Sequence, residues 1–232
     1  MRFMRHAAKA KAMTVVESLL HADPKLAQRK DDDGRLPIHW AASSNQLEIA
    51  RMLVQIKGFD PDVQDDSGWT PLMIAASVKD SEPLVELLLS RGASVDEKNN
   101  SGQTVLHFVA SKGKLELARL LLGRSPPASA RVRDRRGQYA LHRAAAVGSA
   151  PMVNLLLQHR SPLNATDSAG QTALHHAIAE GHGDTAVALL KAGAETDKKD
   201  ADGALAMDLA PDKEVRKYIL RLAEQEGIDI SL

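Results

Sequence analysis

Four histidines stand at one register of this chain: His39, His107, His142 and His175 each follow a glycine by five positions. Five turn-forming residues, Asp65, Asn99, Asp134, Asp167 and Asp200, each precede a glycine by three. Imidazoles and carboxylates are the groups of metal ligation, proton relay and paired general acid–base work. Their periodicity argues for a different role. Copies one period apart sit on successive packed helices, on the order of 10 Å from each other, too far to share a metal. A histidine at a helix start bridges backbone groups of adjacent hairpins, and an aspartate opening a turn accepts the N–H groups that follow it. His175, His176 and His182 form a weak candidate cluster, but no companion carboxylate spacing supports a metal there. No Gly-x-Ser-x-Gly, phosphate loop or dinucleotide glycine motif occurs, and there is no cysteine. No catalytic residue, metal or cofactor is assigned, and an enzyme has no positive feature behind it.

These residues ride on a longer pattern. Gly34, Gly68, Gly102, Gly137, Gly170 and Gly203 are 34, 34, 35, 33 and 33 residues apart. Similar runs follow them: Arg35-Leu36-Pro37-Ile38-His39, Trp69-Thr70-Pro71-Leu72-Met73, Gln103-Thr104-Val105-Leu106-His107, Gln138-Tyr139-Ala140-Leu141-His142 and Gln171-Thr172-Ala173-Leu174-His175. Each unit reads as hairpin turn, inner helix, tight turn and outer helix. In the fourth, Thr104 caps an inner helix, Gly113 breaks it, and Leu115, Leu117, Ala118, Leu120, Leu121 and Leu122 keep helical spacing beyond it. Gly92-Ala93 and Gly193-Ala194 stop outer helices. Gly123-Arg124-Ser125-Pro126-Pro127-Ala128-Ser129-Ala130 replaces that pair between units four and five, an exposed, stiffened loop read as a tolerated insertion.

A period near 33 with Thr-Pro-Leu-His resembles the ankyrin repeat. The resemblance implies a mainly α solenoid of seven helix-pair units joined by β-hairpin-like loops. It also implies one domain over 1–232: a terminal cap at 1–30, five internal repeats at 31–199 and a second cap at 200–232. The first cap contains Val15, Val16, Leu19, Leu20 and Leu26 as a degenerate helix pair. The last carries Asp208 at the histidine register and a wetted helix from about Asp212 to Gln225. Such arrays bind other proteins along an extended surface.

The 30 basic and 30 acidic residues balance, which argues against nucleic acid or an anionic membrane as main partner. No run is long and apolar enough to span a bilayer. The start, Met1 to Lys9, lacks the apolar stretch of a signal peptide, so a cytoplasmic and nuclear protein, monomeric by itself, is expected.

Recognition is expected from the residues that do not repeat. Those beside each hairpin glycine are read as free of the fold. They run Asp32, Asp33 and Arg35; Asp66, Ser67 and Trp69; Asn100, Ser101 and Gln103; Arg135, Arg136 and Gln138; Ser168, Ala169 and Gln171. Residues after each inner helix, such as Ser111 with Lys112, join them. Trp69 reads either as an exposed hot spot or as packing against Trp40 or the next hairpin. Arg131, Arg133, Arg135, Arg136 and Arg143 gather positive charge in unit five, against Asp31, Asp32, Asp33 and Asp66 early on. An acidic partner facing Arg35, Lys112 and these arginines is expected.

Leu36-Pro37-Ile38-His39-Trp40-Ala41, Asp65-Asp66-Ser67-Gly68-Trp69-Thr70-Pro71-Leu72 and Leu141-His142-Arg143-Ala144-Ala145-Ala146 go beyond the generic repeat, which does not demand Trp40, Trp69 or Arg143. With Ala22-Asp23-Pro24-Lys25-Leu26-Ala27, they make the chain similar, over nearly its full length, to gankyrin-like assembly chaperones of the proteasome regulatory particle. That resemblance implies binding of the C-terminal domain of a proteasomal ATPase on a concave face, with Arg35 and Lys112 at the family's basic positions. The family's retinoblastoma-binding Leu-x-Cys-x-Glu reads His176-Ala177-Ile178-Ala179-Glu180 here, so that partner is not implied. Met73 in place of histidine also departs. The competing reading is a general repeat adaptor regulating a kinase or a ubiquitin ligase.

Overall fold

Seven-residue helices are too short to persist alone in water, so each must be stabilised by packing. The computed structural model describes residues 13–228 and residue 230, and it shows how. The chain falls into two compact units, residues 1–100 and 101–232.

In the first unit, helix α1 covers residues 13–22. A 3-10 turn, Pro24–Gln28, follows it, capped by Asp23, whose carboxylate accepts the Lys25 N–H at 3.0 Å. Of the helix pair expected over residues 1–30, the described part is this one helix and its turn; Met1 to Lys9 lie outside the described residues. Two complete pairs come next: α2 (Pro37–Ser43) with α3 (Leu47–Leu53), and α4 (Pro71–Ser77) with α5 (Glu82–Ser90). Pro37 and Pro71 sit in the first turn, where a missing N–H costs no helical bond. α2 packs on α4, and α3 on α5.

In the second unit the pairs are α6 (Val105–Ser111) with α7 (Leu115–Leu122), α8 (Ala140–Ala146) with α9 (Ala150–Gln158), and α10 (Ala173–Ala179) with α11 (Gly183–Lys191). A 3-10 turn, Ala206–Leu209, and α12 (Lys213–Gln225) close it. Asp212 caps α12 through the Val215 N–H at 2.8 Å, just before the helix that the sequence places from about Asp212 to Gln225. α8 lies between α6 and α10, while α9 lies between α7 and α11.

Alanine makes this layering possible. Ala144, Ala145 and Ala177 are wholly buried, so neighbouring inner helices approach closely, and Leu106, Leu141 and Leu174 fill the layer beneath. Each such leucine contributes about 1.5–3 kcal/mol by leaving water.

The hairpins are loops rather than strands. Among the described residues the only β pairing is two isolated bridges, Arg133 with Tyr139 and Lys199 with Leu205. Neighbouring hairpins are instead joined by single backbone bonds: Asp66 N–H to Asp33 O (3.0 Å), Arg135 N–H to Ser101 O (2.9 Å) and Ser168 N–H to Arg136 O (2.8 Å). That contact explains the glycine period. At Gly137 φ is +74°, and a Cβ would stand 3.1 Å from the Ser168 nitrogen of the next hairpin.

Candidate protein-binding surface

Apart from the hairpin opened by Asn99, each hairpin is organised by one carboxylate. Asp134 accepts the Arg136 and Gln138 N–H groups on Oδ1, both at 2.9 Å. Asp65 does the same for Ser67 and Trp69, and Asp167 for Ala169 and Gln171. The second oxygen is then left pointing at side chains, and two registers supply its donors. One lies nine residues on: Trp40 Nε1 donates to Asp31 (2.8 Å), Arg143 Nη2 to Asp134 (2.9 Å) and His176 Nε2 meets Asp167 (2.9 Å). The other is the residue after the preceding glycine: Arg35 Nε donates to Asp65 (3.1 Å), Gln138 to Asp167 (2.9 Å) and Gln171 to Asp200 (3.4 Å).

The electrostatics follow from these bonds. The Arg35 N–H, then the Trp40 indole, hold the Asp31 carboxyl below its usual range. Burial pushes Asp167 up, but Gln138, His176 and two backbone N–H groups outweigh it and hold it down.

The histidines take the bridging role read from the sequence. His39 Nδ1 accepts the Leu36 N–H (3.0 Å), and its Nε2–H faces the carbonyls of Val63 (3.1 Å) and Trp69 (3.2 Å). His107 and His142 repeat this toward Gln138 O and Ala165 O, both at 3.1 Å. His175 faces the Ala204 side of the closing turn, where its Nε2 finds no hydrogen-bond partner. An acceptor Nδ1 and a donor Nε2 require a neutral ring. Burial, with His176 nearby, accordingly pushes His142 down to about 4. Burial also lowers His39 and His175. Among the described residues no group of three or more His, Cys, Asp or Glu is arranged to hold a metal, and no helix is long and apolar enough to cross a membrane.

Against this frame the expected binding residues divide. Residues beside the hairpin glycine are not all free of the fold: Arg35 is half-buried on Asp65, with its guanidinium 5.4 Å from the Trp40 ring centroid. Arg143, with a quarter of its side chain exposed, is held by Asp134. Trp40 is tied to Asp31 yet 49% exposed. Trp69 is only half-buried, and its backbone serves Asp65 and His39. In the first unit Asp32, Asp33 and Asp66 are exposed; in the second, Lys112, Arg135 and Arg136 are. Lys112 caps the C-terminus of α6, where a cation suits the helix dipole. Sequence reasoning missed Gln138, Gln171 and His176 as carboxylate partners. The nine-residue step shared by Asp31, Asp134 and Asp167 carries that signal for His176, and the position after the hairpin glycine carries it for Gln138 and Gln171. It also missed how strongly charge is segregated. Residues 111–160 hold ten lysines and arginines against two acids, Glu116 and Asp134, within a chain of zero net charge.

The family described as ankyrin repeats (3 copies) matches residues 3–99, 53–134, 73–167 and 106–200. An ankyrin repeat-containing protein of Schizosaccharomyces pombe is 40% identical over 217 residues, covering 93% of this chain and 92% of the relative. A Saccharomyces cerevisiae protein named as a probable 26S proteasome regulatory subunit p28 is 46% identical over 39 residues, 17% of each chain.

Proposed function

The chain belongs to the ankyrin-repeat family, and on that premise we propose that it is a non-catalytic assembly chaperone that binds the C-terminal domain of a proteasomal ATPase. Protein binding follows from the family, whose stacked hairpins present side chains rather than a closed pocket. The short match to a proteasome regulatory subunit supports the finer reading, together with the gankyrin-like stretches around Trp40, Trp69 and Arg143.

The observation that carries the site is the exposure of Lys112, Arg135 and Arg136 within the basic stretch 111–160. None of the three has an acidic partner among the described residues. Guanidinium groups at loop tips favour carboxylates, which they bind bidentately. The partner face is therefore acidic, and electrostatic attraction speeds its approach. Arg35 has a different place in this reading, since its guanidinium is already engaged by Asp65.

The test is affinity capture from native extract with the full chain, followed by binding of the recombinant ATPase C-terminal domain. Recovery of one proteasomal ATPase and its neighbours, without the mature proteolytic core, is the expected result. Recovery of a kinase or a ubiquitin ligase instead would replace the chaperone reading with that of an adaptor.

A further inference from the structure

We infer that Ser125 is a phosphorylation site for a proline-directed serine/threonine kinase. Three Ser/Thr-Pro pairs occur in the chain: Thr70-Pro71, Ser125-Pro126 and Ser161-Pro162. A kinase must draw its acceptor hydroxyl and the following proline into an extended groove, so burial excludes a site. Thr70 is fully buried, and its hydroxyl caps α4 through the Met73 N–H at 3.3 Å. Ser161 is 6% exposed. Ser125, Pro126 and Pro127 are all exposed.

The contrast with Ser161 is an internal control, because the two share the local sequence Arg-Ser-Pro (Arg124 to Pro126, Arg160 to Pro162). Their different fates come from register. At the end of three outer helices a residue closes back onto the carbonyl five positions earlier: Ala93 N–H to Leu88 O, Ser161 N–H to Leu156 O and Ala194 N–H to Leu189 O. After α7 the same closure joins Ala128 N–H to Leu121 O, seven positions apart, at 2.9 Å. Ala128 thus takes the buried place that Ser161 fills one repeat later, and is 4% exposed. The two extra residues force the chain between Gly123 and Ala128 outward. The residue five positions after Leu121, Pro126, which the repeat would have buried, is expelled, and Ser125 before it stays outside with a proline on its C-terminal side. The loop is neither buried nor part of a helix, which makes it a tolerant place for chemistry.

In the reaction the Ser125 Oγ attacks the γ-phosphorus of MgATP. The new O–P bond forms as the bond to the β–γ bridging oxygen breaks. The hydroxyl proton passes to the kinase's catalytic carboxylate, and ADP leaves. The product adds a charge of about −1.5 to −2 at neutral pH. It lands between Arg124 and Arg131 in the basic stretch 111–160, where charge-assisted bonds to guanidinium favour it.

The experiment incubates the folded full chain with MgATP and, separately, a mitogen-activated and a cyclin-dependent protein kinase, with the phosphate mapped by mass spectrometry. The expected result is one phosphate per chain, on Ser125, absent from Ser125→Ala and retained in Ser161→Ala. Incorporation by neither kinase, or labelling of Ser161 or Thr70 as readily as Ser125, overturns the inference. So does undiminished labelling of Ser125→Ala.

Discussion

Arg35 donates from Nε to the buried Oδ2 of Asp65 at 3.1 Å, across thirty positions of sequence. The bond crosses from one hairpin to the next, so an arginine read as a contact for a partner is first a rung within the fold. Gln138 and Gln171 occupy the same register and make the equivalent bonds to Asp167 and Asp200.

Arg35→Glu is therefore expected to destabilise the first unit by about 2 kcal/mol, because it leaves a buried carboxylate without its donor and places a like charge beside it. Arg35→Gln keeps a donor, as the later repeats do, and should lose less than half of that. Urea unfolding of the two variants checks the difference. Equal losses would show that the rung contributes nothing.

How much of this was legible in the sequence follows from which interactions are local. The α6 start after Thr104, the start of α12 near Asp212 and the glycine stops depend on neighbours within four or five residues, and all lie where the pattern puts them. The rungs depend on residues 29 or 30 positions apart, which meet only once repeats are stacked. Trp40 and Arg143 stood out because they do not recur. Yet each fills one shared task, donating to the aspartate nine residues before it, with a different side chain. Such degeneracy looks like specificity when letters are compared and like architecture when donors are.

Acid should weaken the fold before its carboxylates titrate. His142 has a folded value of about 4 against 6.5 unfolded, so between those values the unfolded chain binds the extra proton. Stability is then fully present above about pH 6.5 and is lost as pH falls toward 4, by about 3 kcal/mol from this residue. His39 and His175, lowered by burial, act in the same direction. Urea midpoints from pH 7.5 to 4.5 should fall, and His142→Asn, less stable at neutral pH, should show a shallower slope. An unchanged slope would remove His142 from the account.

Reversing the exposed charges separates binding from folding. Lys112→Glu with Arg136→Glu removes two unpaired cations and should cost no more than about 1 kcal/mol of stability, from the loss of a cation at the C-terminus of α6. Binding of the proposed partner, the ATPase C-terminal domain, should weaken at least tenfold at low salt, with a smaller loss of affinity as salt is added. Calorimetry or surface plasmon resonance at two ionic strengths measures both. Unaltered affinity would move the interface away from these residues.

Restoring the repeat register tests the origin of the exposed loop. Replacing Gly123–Pro127 by Ser-Arg-Gly returns the closing residue to five positions after Leu121. It also puts glycine where Gly92, at φ +89°, stands at the end of α5. Ala128 would still close onto Leu121 O, now through the turn that the other repeats use. The shortened chain should unfold at the same urea concentration as the parent or slightly above it, since a shorter loop loses less entropy on closure, a few tenths of a kcal/mol for two residues. A loss of more than about 1 kcal/mol would mean that the residues between Gly123 and Ala128 make contacts the second unit needs, rather than filling a register slip.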